Sequence, residues 1–149
     1  MKTYKANCPE LRVQLTRQEI KKVKVTNSQI SADFFRDIWE GVDIYESFFC
    51  IYLNRANNTI GWYKVSQGGI SGVLVDVRLI AKQGIDCLAS AVILCHNHPS
   101  GNLVPSAADN TLTEKVKNGL ALLDIAVLDH IILSGETNEY YSYSDSGKL

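Results

Sequence analysis

The run AVILC at 91–95 is short, wholly apolar and followed without a spacer by HNHPSG. A strand of this kind has no polar face to give to water, which predicts a position inside a sheet covered on both sides. The rest of the chain offers helices for that cover. SQISADFFRDIWEG, 28–41, repeats apolar residues at Ile30, Phe34 and Ile38, with Phe35 and Trp39 beside them, and ends in glycine. From Val75 to Ala89 the residues Val77, Ile80, Gly84 and Leu88 share one stripe, a helical pattern despite the cost of a mid-helix glycine. From Ala107 to Leu123 the stripe is Leu112, Val116, Leu120 and Leu123.

Strands alternate with these helices. ESFFCIYLN, 46–54, and TIGWYKVS, 59–66, read as a hairpin turning at Asn57 and Asn58; the loop QGGISG follows, and IAVLDHIIL, 125–133, returns as a later strand. The alternation predicts an α/β domain with helices packed on a largely buried sheet. The 149 residues suit one core, and 46% hydrophobic against 21% charged residues excludes disorder. No apolar run approaches the roughly 18 residues of a membrane span. The start, MKTYKANCPELRVQL, lacks the apolar stretch of a secretory signal, so a cytoplasmic location without membrane contact is expected. Cys8, Cys50, Cys87 and Cys95 show no CxxC spacing and are expected as free thiols.

Charge is uneven. Residues 1–30 hold seven Lys or Arg against two Glu, whereas the remainder is net negative. A basic arm can bind nucleic acid. In IKKVKV, 20–25, however, Val23 and Val25 alternate with Lys22 and Lys24, and lysines on one face of a short strand commonly protect a sheet edge. The edge reading is the one favoured here.

The fragment HNHPSGNLVPSAAD, 96–109, lies where a buried strand gives way to a loop and then a helix, a customary place for ligand sites in open sheets. If the chain stays extended beyond Cys95, His96 and His98 point to one side and Asn97 to the other. Pro99 stops the strand and Gly101 permits a turn, which lets the helix's first turn present Asp109 toward both histidines. Two histidines, one carboxylate and an open fourth position are the composition of a catalytic zinc site, whereas structural zinc is usually closed by four ligands rich in cysteine. A water in that position has its pKa lowered to about 7. A second reading covers half of the fragment: Ser106-Ala-Ala-Asp109 fits a capping box. Capping accounts for Ser106 and Asp109 but not for His96 and His98. HExxH, the HxE and PCxxC pair of zinc deaminases, GxSxG and GxxxxGK are all missing from the sequence. Asp129 and His130 adjoin on a strand and face opposite ways, so His130 is read as structural.

HNHPSG followed after three residues by PSAAD resembles the JAB/JAMM metalloprotease motif, HxHP then SxxD. With LLDIAVLDHIIL it is more similar still to the RadC branch of that superfamily, over about Glu46 to the C-terminus. The resemblance implies a cytidine-deaminase-like, three-layer JAB/MPN architecture, a mixed sheet flanked by helices. It also implies His96, His98 and Asp109 as zinc ligands, Ser106 as the residue steadying an oxyanion, and Glu46, in ESFFCIYL, as the catalytic glutamate. Glu40 and Asp43 are neighbouring acids that do not directly precede the strand. Asn97 stands where many deubiquitinating members have Ser or Thr, and the helix-hairpin-helix region common ahead of RadC domains has no counterpart before Glu46.

The expected organisation is a basic extension, 1–27, and a RadC-like JAB/MPN domain, 28–149. The expected activity is zinc-dependent hydrolysis of an amide or isopeptide bond in a protein or peptide, with Glu46 as general base. Two alternatives stay open: a DNA-repair-associated accessory module whose basic arm touches phosphates, and a non-catalytic protein-interaction domain.

Overall fold

The wholly apolar run becomes β3 (Ala91–His98), buried along its length except at His98. A computed structural model describes residues 22–68 and 74–149. Along the chain the elements are α1 (Ser28–Ile38), β1 (Ser47–Leu53), β2 (Thr59–Gln67), α2 (Val77–Asp86), β3, α3 (Ala107–Ala121), β4 (Ala126–Ser134) and β5 (Tyr140–Ser142). One five-stranded sheet runs β2-β1-β3-β4-β5. β3 pairs antiparallel with β1 and parallel with β4, so the sheet is mixed and α3 makes the crossover between its two central parallel strands.

Each face carries its own core. On one side Phe49, Ile51, Ile93, Cys95, Ile131 and Leu133 pack against Ala32 and Phe35 of α1. On the other, Phe48, Cys50, Val92 and Leu94 pack against Ile80 of α2 and Val116 and Leu120 of α3. Period-two alternation divides each strand between two apolar layers, which is why β1 and β3 read as continuous hydrophobic runs. The result is the three-layer arrangement expected: a helix, a mixed sheet and a pair of helices.

Several boundaries differ from the sequence reading. α1 stops at Ile38 because Trp39 turns extended (φ −92°, ψ 121°) and packs its ring 4.3 Å from that of Phe49. α2 starts two residues later than expected, where Asp76 caps it, and ends at Asp86; Leu88, with φ of 56°, is exposed rather than part of the buried stripe. The glycine inside α2 has a packing reason: a Cβ on Gly84 would meet Ile125 Cδ1 at 3.1 Å. α3 ends at Ala121, and Leu123 lies in the turn beyond it. β4 is displaced by one residue from the expected 125–133, β3 runs three residues past Cys95, and β5 was not foreseen.

Lys22 and Lys24 are exposed and Val25 is buried, with Lys24 bridging Asn58 at the tip of the β1–β2 hairpin. Among the described residues the edge contact is therefore a single bridge rather than a strand. Residues 1–21, with most of the basic arm and Cys8, and residues 69–73, with most of the QGGISG loop, lie outside the described residues. Cys50, Cys87 and Cys95 are free thiols. Among the described residues no helix is long and apolar enough to cross a membrane.

Candidate metal centre

Because β3 stays extended through residue 98, His96 and His98 leave it on the same face, the one that α3 covers. Their Nε2 atoms lie 3.0 Å apart. Asp109, in the first turn of α3, approaches both: Oδ1 is 3.3 Å from His96 Nε2 and Oδ2 is 3.5 Å from His98 Nε2. The tetrahedral edge implied by zinc bonds of about 2.0–2.1 Å is about 3.3 Å. The two ring nitrogens and the Asp109 carboxylate are thus close to that spacing, although each ring faces a different carboxylate oxygen.

The capping box and the carboxylate's approach to the histidines coexist. Ser106 Oγ accepts from the Asp109 amide at 3.0 Å, and Asp109 Oδ2 accepts from the Ser106 amide at 2.7 Å. The box fixes the Asp109 side chain while leaving its oxygens facing the imidazoles. Ser106 keeps its own hydroxyl proton for another acceptor, because only its lone pair serves the cap.

β1 brings the fourth group. Phe48 pairs with His96, and continuing that antiparallel register by two residues sets Glu46 opposite His98. A carboxylate oxygen of Glu46 and one nitrogen from each of His96 and His98 all lie within 4.8 Å of one another. Glu40 and Asp43, the neighbouring acids, are exposed. All five residues singled out from the sequence therefore belong to the end of β3, the first turn of α3 and the entry to β1. Two donor sets are available for an ion, both containing the two histidines, with either Asp109 or Glu46 as the carboxylate.

The outer nitrogens are engaged as well. His98 Nδ1 donates to the Asn102 carbonyl at 2.5 Å, which leaves Nε2 as a lone pair in the neutral ring. His96 Nδ1 lies 2.8 Å from His130 Nε2, and His130 Nδ1 lies 2.6 Å from Thr113 Oγ1. His130, expected as a structural residue, is in direct contact with a predicted ligand. Its side chain makes no dyad with Asp129, whose Oδ1 accepts the His130 backbone amide while Oδ2 accepts from Ser142.

Electrostatics follow this layout. The hydrogen bond to Asp109 raises the His98 pKa above its ordinary value, against the opposing effect of burial. Burial also works against ionisation of Asp109, but the adjacent imidazoles of His96 and His98 outweigh it and hold the carboxyl far below the usual range. For His130 burial dominates and pushes the pKa well down, with the adjacent His96 acting in the same direction.

Close backbone approaches hold the His98 turn in place. The amides of Gly101 and Gly135 both donate to the His98 carbonyl at 2.9 Å. Gly101 adopts φ of 77°, in the left-handed region that favours glycine. A Cβ on Gly135 would lie 2.7 Å from Pro99 Cα and from its carbonyl oxygen, so only glycine lets the end of β4 pass so near.

Asn97, noted in the sequence only as a departure from a related pattern, is fully buried on the opposite face. Its Oδ1 accepts from the Ser47 amide at 2.8 Å, and its Nδ2 donates to the carbonyls of Val42 at 2.5 Å and Tyr45 at 2.9 Å. That clamp holds both sides of Glu46. An asparagine inside an otherwise buried strand was the signal that could have revealed it, since a buried amide must be satisfied on every side.

The chain is similar to several known proteins. A UPF0758 protein of Flavobacterium johnsoniae is 43% identical over 128 residues, covering 86% of this chain and 55% of the relative. The UPF0758 protein YfjY of Escherichia coli is 38% identical over 127 residues, 85% of this chain and 78% of its own length. A UPF0758 protein of Porphyromonas gingivalis is 40% identical over 104 residues, 70% of this chain and 45% of that protein. The chain thus spans about half the length of two of these relatives and most of the third. Residues 25–148 match the family described as RadC-like JAB domain, and with a match over most of its length the chain belongs to that family.

Proposed function

We propose that the chain is a zinc-dependent hydrolase of the JAMM type, acting on an amide or isopeptide bond in a protein or peptide. The observation that carries this reading is the convergence of His96 Nε2, His98 Nε2 and the Asp109 carboxylate at 3.0–3.5 Å. Two imidazole lone pairs and a carboxylate at such distances repel one another unless positive charge lies between them. The set is nitrogen and oxygen only, which suits a borderline divalent ion such as zinc. His96, His98 and Asp109 would hold the ion, and its chemistry there would be to lower the pKa of a water and polarise a carbonyl.

The remaining steps belong to side chains. The Glu46 carboxylate, held beside the two histidines, accepts a proton from the attacking water and returns it to the leaving nitrogen. As water adds to the carbonyl carbon, the Ser106 hydroxyl donates to the oxygen that gains charge. Asn97 holds the Glu46 segment so that its carboxylate stays on the histidine side of β1. Asp109 is assigned as the third ligand and Glu46 as the base, because the capping box already fixes the Asp109 oxygens against both rings.

Elemental analysis of protein purified without added metal tests the assignment. About one zinc per chain is expected, lost in His96→Ala and Asp109→Ala and kept in Glu46→Gln. Hydrolysis of peptide and isopeptide substrates should disappear in Glu46→Gln. A Glu46→Gln variant that loses zinc, or retains full turnover, would remove that residue from its role as base.

A further inference from the structure

We infer that Thr113 is a positioning residue of the metal centre: through His130 it dictates which nitrogen of His96 carries the proton, and so leaves His96 Nε2 free as a ligand. The inference rests on the reading of the site as a metal centre and adds a residue that touches no ligand side chain.

The argument is one of proton counting. Thr113 Oγ1 has a single proton, and 2.7 Å away is the Asp109 backbone carbonyl, a group that can only accept. The hydroxyl therefore donates to that carbonyl, in the helical i−4 manner. His130 Nδ1, 2.6 Å from the same hydroxyl oxygen, must then be the donor, which fixes His130 with its proton on Nδ1. His130 is enclosed, with its ring 5.5 Å from that of Phe48 and stacked 5.0 Å from that of Tyr143, surroundings that disfavour a second proton. His130 Nε2 is thus a lone pair, and His96 Nδ1, 2.8 Å away, must donate to it. The proton of His96 is thereby committed to Nδ1, and Nε2 is left bare toward His98 and Asp109.

Histidine in water favours the opposite tautomer, with the proton on Nε2, so the chain of bonds works against an intrinsic preference. A ligating histidine ordinarily gives its outer N–H to a carboxylate, a carbonyl or a water. Here a neutral, buried imidazole takes that place, and a neutral imidazole is direction-neutral: it relays whichever polarity its far side receives. Thr113 supplies that polarity. Asp109 consequently acts on His96 from two sides, through its carboxylate at Nε2 and through its main-chain carbonyl at the far end of the relay.

The test compares wild type with Thr113→Val, which keeps the shape and removes the hydroxyl, and Thr113→Ser, which restores it. Zinc alone is titrated against a chromophoric chelator, and the imidazole tautomers are read by long-range nitrogen–proton NMR on the full chain, at a pH above the histidine titration range. Thr113→Val is expected to bind zinc about 10–100-fold more weakly, the usual effect of losing an outer partner of a ligand. Before zinc is added it should show His96 distributed between tautomers. Thr113→Ser should return both readouts close to wild type. Equal zinc affinity with unchanged tautomers in Thr113→Val would overturn the inference. Should Thr113→Val fail to fold, the wild-type spectrum alone decides, since an Nε2 proton on either His96 or His130 contradicts the relay. A wild type that binds no zinc yet shows the Nδ1 tautomer in both rings would sink the metal reading and leave the relay standing.

Discussion

Ser47 and Asn97, 50 positions apart, are joined by a 2.8 Å hydrogen bond from the Ser47 amide to Asn97 Oδ1, and this one contact ties the entry of β1 to the histidine-bearing end of β3. The same side chain donates to the carbonyls of Val42 and Tyr45, so its amide orientation is dictated by its neighbours: the oxygen faces an N–H and the nitrogen faces two carbonyls. Replacing Asn97 by Ala would leave three backbone groups without partners. A loss of at least about 2 kcal/mol is expected from urea unfolding, given about 1–3 kcal/mol for an unsatisfied buried group. Zinc content should persist, because His96, His98 and Asp109 are held by β3 and α3, whereas turnover should fall through displacement of Glu46. A variant as stable as wild type would show the clamp to be idle.

Gly135 gives a second expectation. The atoms its absent Cβ would meet are Pro99 Cα and Pro99 O, both at 2.7 Å and both backbone, so no rotamer change relieves the clash. Gly135→Ala must push the Pro99 turn outward, and His98 lies one residue away with its carbonyl bonded to the Gly135 amide. A destabilisation of about 1–3 kcal/mol, typical of overpacking, and weaker zinc binding should appear together. Gly61, whose Cβ would meet nothing within 4 Å, supplies the control: Gly61→Ala should leave zinc binding unchanged. Thermal unfolding and zinc titration of the two variants measure the contrast.

The scaffold was legible in the sequence because each buried strand had to be apolar on both faces, and the candidate site stood out because His96, His98 and Asp109 are close along the chain. What stayed hidden depends on distance in sequence. His130 sits on β4, beside β3 in parallel register with Leu94, so its meeting with His96 is a consequence of the α3 crossover and leaves no local pattern. The role of Thr113 is likewise set by α3 packing over that strand. Leu88 and Leu123 matched the helical stripe yet lie in terminal turns, since periodicity continues past the point where a backbone φ of 56° at Leu88 or a new turn ends the helix. β5 is three residues long and half-buried, too short to imprint an alternation.

Zinc uptake should depend on pH in a direction set by His98. In the chelated protein the His98 pKa is raised by its bond to Asp109, so near neutrality His98 retains a proton more often than an unperturbed histidine with a pKa of about 6.5. That proton must leave before Nε2 can bind an ion. Apparent affinity should therefore rise with pH until the raised His98 pKa is passed and then level off. Calorimetry of zinc binding near neutrality, repeated in buffers of different ionisation enthalpy, should report net proton release. Asp109→Asn removes the partner that raises the pKa, so proton release in that variant should shrink along with affinity. Release that is unchanged by the substitution would mean that the proton resides elsewhere.

An ion at this site would add a direct bond between the end of β3 and the first turn of α3, which the turn at residues 99–106 joins along the chain. Binding to the folded chain alone stabilises it by about 2.7 kcal/mol when free zinc is 100 times its dissociation constant. The effect should be local in its detail. Amides of residues 96–109 are held by short contacts, such as the Gly101 amide to the His98 carbonyl and the capping box of α3, and these open when the turn moves away from the sheet. Zinc should slow hydrogen exchange there well beyond the change seen in α1, which packs on the opposite face of the sheet. His98→Ala should abolish both the stabilisation and the local protection while leaving α1 exchange as in the chelated wild type. Uniform slowing across both faces, or protection that survives in His98→Ala, would place the ion somewhere other than between β3 and α3.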